Sequence, residues 1–188
     1  YALGKMSGKA SLAKNLETLG IQLVEENLNK VLKRVVELGD TKKSMTAADL
    51  PFIITDVLET SETQRIELLN CSISSGLNLK ATATIHLKID SKEYREAGSG
   101  NGGYDAFMSA VNKILKKLNL KSPELVDYQI RIPRGGKTNA LTEAIITWQV
   151  NGKRLQTIGI DSDQVLAAVN ATLKLLNLQL LQKDVQQQ

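Results

Sequence analysis

The residues best suited to chemistry form the run Ser99-Gly100-Asn101-Gly102-Gly103, followed by Tyr104-Asp105. Glycines at the start of a helix leave backbone N–H groups uncovered, and the helix dipole adds partial positive charge there. The run therefore suits a small anion such as a carboxylate, with Asp105 beside it to receive an ammonium group. The same residues also read as a plain turn whose acid supports the first helical turn. Other reactive types are sparse. His86 is the single histidine and stands on the polar side of its segment with no second ligand nearby, which reads as a surface residue rather than a metal or proton-transfer site. Cys71 is the single cysteine; alternating with Leu69 and Ile73, it reads as a small hydrophobe on the inward face of a strand, and it excludes a disulfide framework. With no Ser/His/Asp set, glutamate pair or Walker-type loop, the chain is expected to be non-catalytic, without a metal or cofactor of its own, and to act by binding.

Composition narrows the partners. The 188 residues are 42% hydrophobic, enough for one ordinary core plus a smaller element, and no apolar run is read as long enough to span a membrane. A start at Tyr1 with no charged-then-apolar leader is read as a segment of a longer, cytoplasmic chain. The net charge of +4 and pI near 9.1 raise nucleic acid as a partner, with Arg131, Arg134 and Lys137 as the candidate footprint. Two features argue against it. The lysines are interspersed with carboxylates, as in Lys30, Lys33 and Arg34 before Glu37, and aromatics make up only 4%, too few for a base-stacking platform.

The elements that must position the glycine run come as a repeat. ELLNCSISSG at 67–76 pairs with ELVDYQIRIP at 124–133, and LKIDSKEYREAG ending at Gly98 pairs with WQVNGKRLQTIG ending at Gly159. The second copy is longer between its first two strands, and the extra residues fall at Arg134-Gly135-Gly136-Lys137, where a loop belongs. Ala83, Ile85, Leu87 and Ile89 alternate with polar residues, the period of a strand with one buried face. Asp90-Ser91 and Asn151-Gly152 are hairpin turn signals. Each copy then carries an apolar helical segment, through Ala106, Ala110, Val111, Ile114, Leu115 and Leu118 or through Val165, Val169, Leu173 and Leu176, and ends in Leu-Asn-Leu, at 118–120 and 176–178. The fold class is α+β: short helical subdomains over 1–60, then a pseudo-symmetric pair of strand-strand-strand-helix units over 61–188, with copies at 67–120 and 124–178.

Before the repeat, Leu12, Leu16 and Leu19 share one helical face stopped by Gly20, and Leu28, Val31, Leu32, Val35, Val36 and Leu38 share a second stopped by Gly39. A third helix is expected to be capped by Asp49, with Pro51 in its first turn and Ile53, Ile54, Val57 and Leu58 on its apolar side. Helices this short should pack on one another and on something absent from the chain, with Thr60–Gln64 as linker.

The opening LGKMSGKASLAKNLETLG, the helices to Glu59, the stretch SSGLNLKATATIHLKIDSKEYREAGSGNGGYDA and the LVDYQIR segment resemble the C-terminal portion of the alpha-isopropylmalate and citramalate synthases. The resemblance covers nearly the whole chain. It implies two small subdomains followed by a regulatory domain that forms a homodimer and binds the end-product amino acid. The missing N-terminal barrel would condense acetyl-CoA with a 2-keto acid using a divalent metal. Carried over by position, the effector pocket comprises Tyr104, Asp105, Leu125, Tyr128, Ile132, Thr138 and Asn139, to which the reading of the glycine run adds Gly102 and Gly103. Leu125, Tyr128 and Ile132 can share a face only if a bulge or strand end intervenes, since the first two are an odd number of positions apart. Met6 stands where the family usually has the histidine of Gly-Lys-His-Ser-Gly. The bulk of Tyr104, Leu125 and Ile132 resembles the isoleucine-regulated citramalate type, with the leucine-regulated isopropylmalate type as alternative. A stand-alone ligand- or RNA-binding module is the reading from another class.

Overall fold

The computed structural model describes residues 8–41, 47–59, 63–132 and 141–186. Helix α1 spans Lys9–Thr18 and helix α2 spans Glu25–Thr41; a short 3-10 turn over Ala47–Asp49 leads into α3, Leu50–Leu58, with Pro51 in its first turn. Gly20, at φ +71°, ends α1 as expected: the Ile21 N–H reaches Leu16 O at 2.9 Å and the Gly20 N–H reaches Glu17 O at 3.0 Å. Gly39 does not stop α2, which runs two residues further, to Thr41. A glycine weakens a helix by about 1 kcal/mol but does not by itself break it. Asp49 precedes α3 as expected but makes no side-chain cap bond to it.

Two antiparallel three-stranded sheets follow, each with its helix. The first unit is β1 Ile66–Gly76, β2 Leu79–Ile89, β3 Lys92–Gly100 and α4 Gly103–Lys117; the second is β4 Glu124–Arg131, β5 Thr142–Val150, β6 Lys153–Asp161 and α5 Gln164–Gln186. Ser99 and Gly100 thus belong to β3, leaving only Asn101 and Gly102 as the loop. Asp90-Ser91 and Asn151-Gly152 carry positive φ at both positions, the twist that two-residue hairpins require. In β2, Ala81, Ala83, Ile85, Leu87 and Ile89 are buried as the alternation dictates. In β1 the pattern slips. The register shifts between Leu68 and Asn70, so Leu69 is the extra residue of a bulge and is 40% exposed, while Leu68, Cys71 and Ile73 pack on the core. Cys71 therefore faces inward without Leu69, and burial raises its thiol pKa.

Both helices approach their sheets closely, and paired residues of the repeat allow it. A Cβ at Gly98 would lie 2.5 Å from Ala110 N and 2.6 Å from Ala106 O; one at Gly159 would collide with Ala167 O and Ala171 N. The copies part at Leu-Asn-Leu. Asn119 takes φ +54° and closes α4, with the Leu120 N–H on Leu115 O at 2.9 Å. The second Leu-Asn-Leu lies inside α5, which continues to Gln186, so the second unit extends past residue 178.

The reason is the position of α5. Ala167, Ala168, Ala171, Leu175, Leu178 and Leu181 join a core with Trp148, Leu155 and the apolar faces of α1 to α3, whereas Val169, Leu176 and Leu180 join the core of the first unit. The expectation that the N-terminal helices need a partner outside the chain is corrected accordingly: Leu12, Leu16, Val31, Leu50, Ile54 and Leu58 are buried against the second unit. So is the expectation of no membrane-length apolar run. Gln164–Lys183 qualifies by length and hydropathy, and its apolar character serves burial between two cores, 61% of it lying inside the fold.

Candidate functional site

The start of α4 meets the edge of the second sheet. Gly102 is the N-cap residue and provides no side-chain cap; a Cβ there would meet nothing within 4 Å, so space opens over the first turn. Gly103 is tight instead: a Cβ would come 2.9 Å from Ile73 Cγ2 and 3.6 Å from the Val165 methyls. It thereby seats the start of α4 against β1 and against the start of α5.

Tyr104 projects from this turn into the body of the protein. Its ring centroid lies 5.6 Å from that of Tyr128 and 6.2 Å from that of Phe107, and its hydroxyl is 2.7 Å from Thr172 Oγ1 on α5. Burial, helped by Tyr128 and opposed by the Thr172 hydrogen bond, pushes its pKa up to about 12. Tyr128 is also raised, by burial and then by the negative charge of Asp163.

The bulge that the spacing of Leu125 and Tyr128 requires is present. The β4–β5 register shifts between Leu125 and Asp127, so Val126 is the extra residue; Leu125 then opposes Trp148, Tyr128 opposes Ile146, and Ile130 opposes Ala144. Trp148, Ile146 and Ala144 are buried together, which puts Leu125, Tyr128 and Ile130 on one face. Ile132 follows the strand end, 61% exposed.

Asp105 is not turned toward this group. Its Oδ2 accepts the Asn101 N–H at 2.9 Å and packs on Gly100, and its side chain lines a shallow depression with Ser99, Met108, Ser109, Asn112, Lys113 and Lys116. Thr138 and Asn139 lie outside the described residues, as do Met6, Arg134 and Lys137. Arg131 is exposed beside Glu143 at 3.9 Å, and His86 pairs with Glu93 at 2.7 Å. Among the described residues no three His, Cys, Asp or Glu side chains come together as a metal would require.

Sequence reading missed Thr172 and Asp163. Thr172 lies 68 positions from Tyr104, and nothing local marks it. Asp163 was legible, because the repeat that matches Gly98 to Gly159 matches Gly102 to Asp163. At the start of α5, Asp163 Oδ1 accepts the N–H groups of Val165 at 2.8 Å and Leu166 at 3.0 Å. One copy thus has a carboxylate at the cap position of its helix, and the other has glycine there with Asp105 in its first turn.

Comparison with known proteins agrees with this architecture. Residues 44–180 match the family described as LeuA allosteric (dimerisation) domain. A protein of Archaeoglobus fulgidus provisionally named (R)-citramalate synthase is 32% identical over 94% of this chain. The 2-isopropylmalate synthases of Aquifex aeolicus and a Synechococcus strain are 31% and 33% identical over 97% and 94% of it. The chain spans 35%, 34% and 32% of those three relatives, about a third of each.

Proposed function

Because this chain belongs to the LeuA allosteric (dimerisation) domain family, we propose that it is the feedback-regulatory C-terminal region of a cytoplasmic citramalate synthase-type acyltransferase, binding isoleucine as inhibitor and mediating dimerisation. The observation that carries the reading is the unequal pair of helix starts. Asp163 caps α5 with a carboxylate, whereas α4 has Gly102 at that position and its Asp105 turned to the Asn101 N–H, so the cap position of α4 can take a carboxylate brought by a ligand. The ligand's side chain rests on Leu125, Tyr128 and Ile132, with Tyr104 at the back of the site. Its ammonium group is served by Asp163, whose charge already acts on Tyr128, in place of Asp105, which is turned to the Asn101 N–H. Condensation of acetyl-CoA with pyruvate, and the divalent metal it needs, belong to a catalytic barrel outside this chain.

Leucine regulation of a 2-isopropylmalate synthase is the second reading, since relatives of both names match at similar identity. The bulk of Tyr104, Leu125 and Ile132 favours isoleucine, although the position of one methyl group is worth only about 1 to 3 kcal/mol in an apolar pocket. The dimer surface that this reading proposes is the end of the domain where both helices start. There Leu77 is 91% and Leu79 71% exposed at the β1–β2 tip, with Ile132 and Leu141 also exposed beside the second hairpin's loop.

The test uses the intact parent enzyme. Tyr128→Ala should weaken inhibition by isoleucine or leucine at least tenfold, about 1.4 kcal/mol, and leave uninhibited turnover nearly unchanged. Full sensitivity in this variant, or loss of basal activity and folding, would remove the effector site from this position.

A further inference from the structure

Asn177 is 2% exposed and lies inside α5, where asparagine is a poor helix former. Its amide is fully engaged. Oδ1 accepts the backbone N–H of Arg65 at 2.8 Å, and Nδ2 donates to Leu58 O at 2.8 Å and Thr63 O at 3.5 Å. These three partners bracket the crossing from α3 to β1. Arg65 fastens the same crossing from its other side, donating to Leu180 O at 2.7 Å and pairing with Asp90 through both carboxylate oxygens. Earlier on α5, Lys174 reaches Asp56 of α3 at 2.9 Å. Thr172, the partner of Tyr104, stands five positions before Asn177 on the same helix, about 7.5 Å at 1.5 Å per residue.

One helix therefore touches the candidate ligand site at Thr172, α3 at Lys174 and the α3–β1 crossing at Asn177. The counterpart Leu-Asn-Leu in the first unit has no such duty: Asn119 is exposed and only closes α4. We propose that α5 is the transmitting element of regulation, with Asn177 as a positioning residue that makes the N-terminal helices follow any shift of α5 imposed at Thr172. This rests on the reading of Tyr104 and its surroundings as the effector site. A ligand at Tyr104 that favours one setting of α5 must then favour one setting of α3, because the Lys174 and Asn177 ties do not let the two slide independently.

The parent enzyme with Asn177→Ala, and separately with Lys174→Gln, tests this by two readouts, calorimetric affinity for isoleucine and for leucine and maximal inhibition at saturation. Both variants are expected to bind the inhibitory amino acid within about threefold of the unmodified enzyme, while maximal inhibition falls at least twofold. Undiminished inhibition in both variants overturns the inference and leaves the effector reading standing, as does loss of binding together with inhibition, which would make α5 part of the site instead of its transmitter. If neither amino acid binds the unmodified enzyme, the effector reading fails first and this inference with it. Should Asn177→Ala fail to fold, Lys174→Gln decides, because it removes the charge that holds Asp56 and keeps most of the side chain's length.

Discussion

The Tyr104 hydroxyl donates its proton to Thr172 Oγ1 across 2.7 Å, joining the first turn of α4 to the middle of α5. The direction follows from the partner. Thr172 has one hydroxyl hydrogen and gives it to Ala168 O at 2.8 Å, so Tyr104 must be the donor.

That direction orders two substitutions. Tyr104→Phe removes a donor and leaves Thr172 bonded to Ala168, at a cost of about 0.5 to 1.5 kcal/mol. Thr172→Val strands the buried tyrosine hydroxyl, costing about 1 to 3 kcal/mol. Urea unfolding of the two variants should show Thr172→Val as the less stable; the reverse order would contradict the claim that Thr172 is the partner the buried hydroxyl depends on.

The same tyrosine sets an alkaline limit. A group whose folded pKa is raised contributes stability that is complete below its unfolded value and is lost as pH rises through the folded value. For Tyr104 the window runs from 10.0 to about 12. The contribution is at most about 3 kcal/mol at 1.36 kcal/mol per unit. Unfolding free energy should fall through this window in the unmodified chain and fall less in Tyr104→Phe. Parallel curves would contradict the assignment.

Glycine substitutions separate packing from opening. Gly159→Ala drives a Cβ into the backbone of α5 and should cost more than 3 kcal/mol, and Gly98→Ala, against the backbone of α4, somewhat less. Gly102→Ala meets nothing within 4 Å and should shift the melting temperature little.

Much of this was legible in the sequence, for reasons that also explain the misses. Alternation at Ala83, Ile85, Leu87 and Ile89 reports the buried face directly, because each strand side chain has a fixed side. Leu69 breaks the rule: a bulge inserts one residue without changing composition, so the pattern of β1 looks regular when it is not. The bulge at Val126 was recoverable only because the pocket implied by the family resemblance needs Leu125 and Tyr128 on one face. Leu-Asn-Leu misled at 176–178, since what extends α5 is the presence of two cores around it, which no local signal encodes. Gly102 opposite Asp163 is the converse case, a chemical difference readable from the repeat once the copies are set side by side.

Membership in a dimerisation-domain family implies a dimer, and the exposed tip leucines mark its expected surface. Sedimentation at micromolar concentration should show a dimer, with Leu77→Lys and Leu79→Lys together weakening association at least tenfold. A dimer indifferent to both changes would move the interface elsewhere.

Isothermal titration of the chain with isoleucine and with leucine, before and after Gly102→Asp, tests the central claim most directly. The substitution gives α4 the cap that Asp163 gives α5, in open space, so the fold should be retained or stabilised by roughly a few tenths of a kcal/mol. The account predicts that one of the two amino acids binds the unmodified chain and that Gly102→Asp weakens this binding at least tenfold with an unchanged or higher melting temperature. Equal affinity before and after the substitution, or no binding of either amino acid to the unmodified chain, would contradict it.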